Sequence, residues 1–487
     1  MSLRDSSVFL GLLVALTCGA AAQEPPQVKW EPYSIETGDG HKIVAELGRI
    51  FVPENRRKPG GRKIEIAFVR LKSTAERPGP PIVYLEGGPG GSGINAARGA
   101  GLPLLLALRE VGDVILLDQR GTGLSQPSLE CPGMWDFPLN EPEGGPRARR
   151  LAREKIRDCA QMLRKRGVDL AGYNTEASAD DVGAVREALG GEKVSLWGVS
   201  YGTHLGLAVI RRHGVRVHCA ILAGVNGPDA EMFVRPATVE AQIEVVGRLL
   251  AADATMSRLL PDFPGLLQRL LAEMEGKTKV VRVEDPQTKQ IVEVTVGKSD
   301  LQFFTSSAIT TTWGIMNLGS LFVPLAKDDW TPLAQRALDR RRAPVGSLMG
   351  VLMVCYSGTS TARRKQIERE ARSAQLDNAI NFLLPEICKG LGNPDLGASF
   401  RAPIRSDVPV LLLSGTADGR TPPSNAEDVL RGFPNGQHLV IEGASHGYDL
   451  FYFFPGAQRI LTGFLKGEPP PTTRIELKTF PFIPPRE

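Results

Sequence analysis

Short apolar runs and amphipathic stretches of helical spacing take turns along this chain, and their order predicts an architecture. Two alternating stretches, Lys42 to Val52 and Lys63 to Leu71, flank the basic turn Asn55 to Arg62 and read as a β-hairpin. Strand and helix patterns then alternate: Ile82 to Glu86, Asp113 to Asp118, a helix from Ala179 to Leu189, the strand Lys193 to Trp197, a helix opening at Tyr201, and the strand Val217 to Ala223. Such alternation predicts a mostly parallel sheet with helices on both faces. From Pro228 to about Ala402 the rhythm gives way to long helical segments, broken by a hairpin pattern at Val280 to Val296 around Asp285-Pro286-Gln287-Thr288. The βα pattern resumes with Val408 to Ser414, a helix near Ser424 to Arg431, the strand His438 to Ile441 and a helix from Gly456 to Leu465. The expectation is an α/β core, residues 23–228 and 403–487, split by a mainly helical cap over 229–402.

The amino-terminal residues carry a different pattern. Arg4 precedes the apolar stretch Val8 to Thr17, and Ala20-Ala21-Ala22 precedes Gln23, which predicts a cleaved export signal over 1–22. The stretch is short for a membrane span and nothing later runs to about twenty apolar residues, so an exported protein without a stable span is expected, periplasmic or extracellular.

Export changes how the cysteines read. Cys131, Cys159, Cys219, Cys355 and Cys388 follow the signal, and sequence proximity pairs Cys131 with Cys159 and Cys355 with Cys388. Cys219, inside Cys219-Ala220-Ile221-Leu222, is then a core thiol. Neither Cys-x-x-Cys nor His-Glu-x-x-His occurs, which disfavours zinc, and no metal is expected. The net charge of +4 is too small to argue for a polyanionic partner. Its densest cluster, Arg147 to Arg166, puts Leu151, Ile156, Cys159, Met162 and Leu163 near helical spacing, so its cations form a solvated face and nucleic acid is not an expected partner.

Candidate chemistry begins in the loop after Ile82 to Glu86. Gly88-Pro89-Gly90-Gly91-Ser92-Gly93 fits the dinucleotide pattern G-x-G-x-x-G, with Asp118 closing the next strand. The same loop suits an oxyanion-binding role, and Pro89, which has no N–H, suits a pyrophosphate poorly. The choice falls to Val194 to His204, a strand running through Gly198-Val199-Ser200-Tyr201-Gly202 into a helix, which is a nucleophile elbow. A serine hydroxyl needs a base, and the base needs a carboxylate that fixes its tautomer. Of the six histidines, His446 stands just past a late strand in Glu442-Gly443-Ala444-Ser445-His446-Gly447, where a loop at the carboxyl edge of the sheet reaches Ser200. Asp418 follows the strand before it, giving the hydrolase order Ser200, Asp418, His446. Gly88 or Gly87 would then offer its N–H beside that of Tyr201 as an oxyanion hole.

With these pieces in hand, the chain resembles the secreted tripeptidyl aminopeptidase and prolyl iminopeptidase family of α/β-hydrolases. The matching segments are Gly87 to Gly93, Asp118-Gln119-Arg120-Gly121-Thr122-Gly123-Leu124-Ser125, Gly198 to Gly202, Ser414 to Pro422 and Glu442 to Gly447. The resemblance implies a serine hydrolase that releases amino-terminal residues or short peptides without a cofactor, its cap carboxylates holding the substrate's ammonium. Prolyl iminopeptidases carry His where this chain has Glu86, whose expected role is pairing with a nearby arginine such as Arg120, contact with a substrate cation being the alternative. Glu231 is a candidate ammonium ligand or an exposed helix-start carboxylate; Trp313, Phe303 and Phe304 are an apolar subsite or cap core. A carboxylesterase or lipase-like enzyme acting on small esters uses the same triad, and a binding protein on a retired hydrolase scaffold is the remaining alternative.

Overall fold

The computed structural model describes residues 25–37, 40, 42–58, 60–229, 233–343, 345–477, 480 and 482–484; the expected export signal and Glu231 lie outside them. Among the described residues ten strands form one sheet. They are β1 (Lys29–Glu36), β2 (Lys42–Pro53), β3 (Lys63–Leu71), β4 (Ile82–Leu85), β5 (Val114–Leu117), β6 (Val194–Val199), β7 (Val217–Ala223), β8 (Val410–Gly415), β9 (Gly436–Glu442) and β10 (Arg474–Glu476). Their spatial order is β1-β2-β3-β5-β4-β6-β7-β8-β9-β10. The pairs from β1 to β5 are antiparallel and those from β5 through β4 to β10 are parallel.

The parallel strands are covered on both faces, which is why β4 and β5 are continuously apolar and β8 is so up to Ser414, all of them buried. Strand alternation divides their side chains between two cores. Val83, Leu85 and Leu196 pack under the helices Pro146–Lys165, Thr175–Ala188 and Tyr201–His213, while Ile82, Tyr84 and Trp197 face Leu104 and Leu461. The basic helix Pro146–Lys165 buries Ile156, Cys159 and Leu163 and leaves its arginines outward. β1 escaped the sequence pattern because Pro32 and three charged residues interrupt it, features tolerated at the sheet edge it occupies.

Between β7 and β8 lies the long insertion. Val239, Leu267, Val294, Phe322 and Leu333 form a third core of their own, including the hairpin Thr278–Glu284 with Ile291–Gly297. The later part packs differently: Leu348, Met353, Leu383 and Phe400 join the core under the sheet. Both expected disulfides are formed, Cys131–Cys159 with Cα atoms 5.8 Å apart and Cys355–Cys388 at 5.3 Å. Cys219 is buried and unbridged, its thiol pushed up to about 11 by desolvation.

The Cys355–Cys388 bridge, closing a separation of 33 residues, holds the helix Leu348–Ser357 to Leu384–Gly390. Replacing both cysteines by Ala is expected to cost about 3 kcal/mol of unfolding free energy in a denaturant titration. An unchanged midpoint would show that the covalent tie contributes nothing there.

Candidate active site

Ser200 occupies the single-residue turn between β6 and the helix Tyr201–His213, with φ 53° and ψ −121°. A non-glycine residue there stores on the order of 1–3 kcal/mol of strain and needs neighbours to hold it. Ser200 N–H donates to Ala223 O at 2.9 Å, while Thr203 donates to Ser200 O through both its N–H, at 2.8 Å, and its hydroxyl, at 2.6 Å. The flanking glycines are there for space: a Cβ on Gly202 would stand 1.9 Å from Leu85 O, and one on Gly198 2.6 Å from Gly202 O.

The strand order brings β8 and β9 alongside, and their carboxyl ends deliver the partners. With the imidazole proton on Nδ1, His446 donates to Asp418 Oδ2 at 2.9 Å and its Nε2 accepts from the Ser200 hydroxyl, also at 2.9 Å. Asp418 is buried and also performs the turn-capping work that its position before Thr421-Pro422 suggests. Its Oδ1 accepts from the N–H groups of Arg420 and Thr421, both at 2.8 Å, and its Oδ2 from the Thr421 hydroxyl. Burial alone would push this carboxyl up, but His446 and the Thr421 donors bring it below the usual aspartate value.

The insertion touches both of these loops. Gln242 Nε2 donates to Ala417 O, beside Asp418. Thr312 N–H donates to His446 O at 3.3 Å, and its hydroxyl donates to Asp449 Oδ1 at 2.6 Å, while Asp449 Oδ2 accepts Ser445 N–H at 2.7 Å. Asp449, only 4% exposed, is pushed up to about 6 by desolvation. Thr312, Thr421 and Asp449 were not singled out from sequence; the one available signal was that Thr421 and Asp449 lie three residues past the candidates Asp418 and His446.

On the other side of Ser200 runs the glycine-rich loop. A Cβ on Gly87 would come within 2.9 Å of Val199 O and 3.0 Å of Ser200 Cβ, so this loop lies directly against the elbow. Gly87 N–H is occupied by Glu86 Oε1 at 2.8 Å, which leaves Gly88 N–H as the loop's candidate oxyanion donor. Tyr201 is the first residue of its helix, where N–H groups point out along the axis. Asp118 is fully buried and accepts from the Ser92 hydroxyl, Ile94 N–H and Leu124 N–H, so it pins the loop from inside and is no ribose ligand.

The expected Glu86–Arg120 pair does not form. Arg120 is fully buried on Asp181, through Nε and Nη2 at 2.7 Å each, and its Nη1 donates to Glu54 O and Gly172 O. Glu86 instead accepts from the Tyr84 hydroxyl at 2.7 Å. Phe303 packs on Phe304 and Phe382 with Arg340 over its ring, so that pair belongs to packing within the insertion. Trp313 is 70% exposed beside Thr312. A cleft of about 430 Å³ lined by Asp229, Arg363, Arg401 and Arg405 includes none of Ser200, Asp418 or His446.

Residues 80–288 match the family model described as alpha/beta hydrolase fold, and residues 378–471 the one described as TAP-like protein. The chain is 32% identical over 193 residues to the serine protease Hip1 of Mycobacterium tuberculosis (strain ATCC 25618 / H37Rv), covering 38% of this chain and 37% of that one. It is 31% identical over 216 residues to the tripeptidyl aminopeptidase of Streptomyces lividans, covering 42% and 39%. The match thus spans less than two fifths of either relative. The solved proline iminopeptidase of Mycobacterium smegmatis is 16% identical with a TM-score of 0.37, covering 86% of this chain and 97% of that one.

The buried Asp449 gives a measurable linkage. An unfolded aspartate titrates near 3.8, whereas the folded one titrates near 6, so the fold binds this proton more tightly and loses stability as pH rises from about 4 to about 6. Relative to Asp449→Asn, which has no such titration, the wild type should lose on the order of 3 kcal/mol across that window, read from denaturant unfolding at a series of pH values. Parallel profiles for the two proteins would show that Asp449 is not desolvated in solution.

Proposed function

This chain belongs to the α/β-hydrolases of the TAP-like group, and from that premise we propose that it is a serine peptidase of aminopeptidase type. Ser200 Oγ attacks the carbonyl of a peptide bond near a free amino terminus as His446 Nε2 takes its proton. Asp418 keeps Nδ1–H in place and stabilises the imidazolium. The tetrahedral oxygen is received by the N–H groups of Gly88 and Tyr201, the latter at a helix end whose dipole favours negative charge. His446 then gives its proton to the departing amine, and a water activated by the same imidazole releases the acyl group from Ser200. No step calls on a metal or an organic cofactor.

The observation that carries this reading is the pair of 2.9 Å contacts from Ser200 through His446 to Asp418, ending on a serine held at positive φ. The names of the two relatives support peptide bonds as the target. Contacts from the insertion to the loops of Asp418 and His446 support a covered site that admits chain ends in preference to folded proteins. Two disulfides favour an oxidising compartment outside the cytoplasm.

Initial rates on free-amino Pro, Ala and tripeptide arylamides, their N-blocked versions and short acyl esters test the reading. Turnover confined to free-amino amides is expected, abolished by Ser200→Ala and reduced on the order of 10⁴-fold by Asp418→Asn through loss of the correct tautomer. Turnover of esters alone would overturn the peptidase assignment.

A further inference from the structure

One helix of the insertion, Leu348–Ser357, reaches both sides of the candidate oxyanion hole. Its first turn meets the glycine-rich loop. A Cβ on Gly350 would stand 2.6 Å from Pro89 O, and one on Gly90 would stand 3.2 Å from Gly350 Cα, so the helix backbone lies directly against the loop. Pro89 and Gly90 follow Gly88, whose N–H is the loop's candidate donor.

The last residue of the same helix enters the core behind the elbow. The Ser357 hydroxyl lies 3.2 Å from Thr175 Oγ1 and 3.1 Å from His204 Nε2, and Thr175 Oγ1 lies 2.9 Å from the Tyr201 hydroxyl. These four side chains, none more than 2% exposed, form one hydrogen-bonded chain that starts and ends on the first turn of the elbow helix. Each hydroxyl can donate and accept, and desolvation pushes His204 down to about 3, so the imidazole joins the chain uncharged. A buried polar chain is costly unless its partners are in place, and with them in place it holds one geometry. No step of the hydrolysis uses Thr175, His204 or Ser357. What they hold is Tyr201, whose N–H is the second candidate donor.

Gly350 and Ser357 stand seven residues apart, which puts both contacts on one face of the helix, separated by about 10 Å of rise. That helix is anchored independently of the hole. Leu348 and Met353 join the core under the sheet, Cys355 is bridged to Cys388, and Arg401 Nη1 donates to Ser357 O at 3.0 Å.

We propose that the helix Leu348–Ser357 is the common brace of the oxyanion hole: Gly350 sets the glycine-rich loop, and Ser357, through Thr175, sets the start of the elbow helix at Tyr201. The two donors leave different strands, β4 and β6, and a hole works only if both N–H groups stand about 2.7–3.1 Å from the point where the oxyanion forms. A single rigid element touching both fixes their separation. Gly350, Thr175 and Ser357 are positioning residues and touch no substrate. The inference rests on the serine hydrolase reading of Ser200 and adds the element that shapes its oxyanion hole.

The test compares Thr175→Val, which keeps the side-chain shape and drops the hydroxyl, with Thr175→Ser, which keeps the hydroxyl and drops the methyl, beside Gly350→Ala. On a free-amino peptide arylamide and a short acyl ester, kcat of Thr175→Val and Gly350→Ala should fall about tenfold with KM within about twofold of wild type, while Thr175→Ser keeps kcat within about twofold. A peptide aldehyde, whose hemiacetal oxygen enters the hole, should bind Thr175→Val and Gly350→Ala about tenfold more weakly than wild type. A role in stability alone would shift the denaturant midpoints and leave kcat and aldehyde affinity at wild-type values, and that result overturns the proposal. So does a loss in Thr175→Ser as large as in Thr175→Val, which would make the side chain a matter of packing. Should Thr175→Val or Gly350→Ala fail to fold, Tyr201→Phe, which removes only the hydroxyl at the end of the chain, carries the same expectation. Wild type that turns over the ester alone would overturn the aminopeptidase reading and leave this inference standing, because both reactions pass through the oxyanion; wild type that turns over neither substrate overturns both.

Discussion

The approach of Gly202 to the Leu85 carbonyl is the contact on which the site is registered. It brings the end of β4 and the start of the elbow helix closer than any side chain would allow, and a methyl at Gly202 would stand 1.9 Å from that oxygen. Two consequences follow from one geometry. The chain must reverse within a single residue, which puts Ser200 at φ 53° with its hydroxyl projecting from the sheet. The glycine-rich loop must also leave β4 directly beside that hydroxyl, so nucleophile and candidate oxyanion donors are positioned together. The strain of the turn is offset locally, by the hydrogen bonds of Ala223 and Thr203 and by the packing of Gly198 on Gly202.

The other half of the relay is not held by the core alone. Asp418 and His446 sit on loops after β8 and β9, and such loops are the mobile part of an α/β scaffold unless tied down. Here they are tied from above. Gln242 grips the carbonyl next to Asp418, and Thr312 grips both the His446 carbonyl and Asp449. A displacement of the insertion large enough to break these bonds would move the base relative to a serine that the sheet keeps still. The position of the imidazole thus depends on contacts paired across more than a hundred residues of sequence.

Sequence made the core legible for a physical reason: strands buried on both faces must be continuously apolar, and a helix packed on them must alternate at its own period. The elbow was legible because tight packing admits only glycine at its flanks, and the candidate triad because its expected order follows strand order. What escaped were groups defined by distance in space. Thr312 meets Asp449 across 137 positions, and nothing local marks either as a partner. The Glu86–Arg120 pairing failed on direction. Glu86 leaves β4 on the same side as Tyr84, two residues back, whereas the guanidinium of Arg120 turns into the opposite core toward Asp181 and Tyr173. Charge complementarity between near neighbours is therefore a weak guide where a strand determines which way a side chain points.

The distribution of charge around Ser200 constrains the chemistry further. The molecule as a whole carries a net charge of +4, yet Glu86, Asp118, Asp418 and Asp449 surround the nucleophile. Arg420, two residues past Asp418, is itself desolvated, and burial lowers its pKa. Among the described residues no lysine or arginine is hydrogen-bonded to Ser200, so in the proposed reaction the oxyanion falls to backbone N–H groups and the amino-terminal end of the elbow helix, fixed dipoles that need no reorganisation.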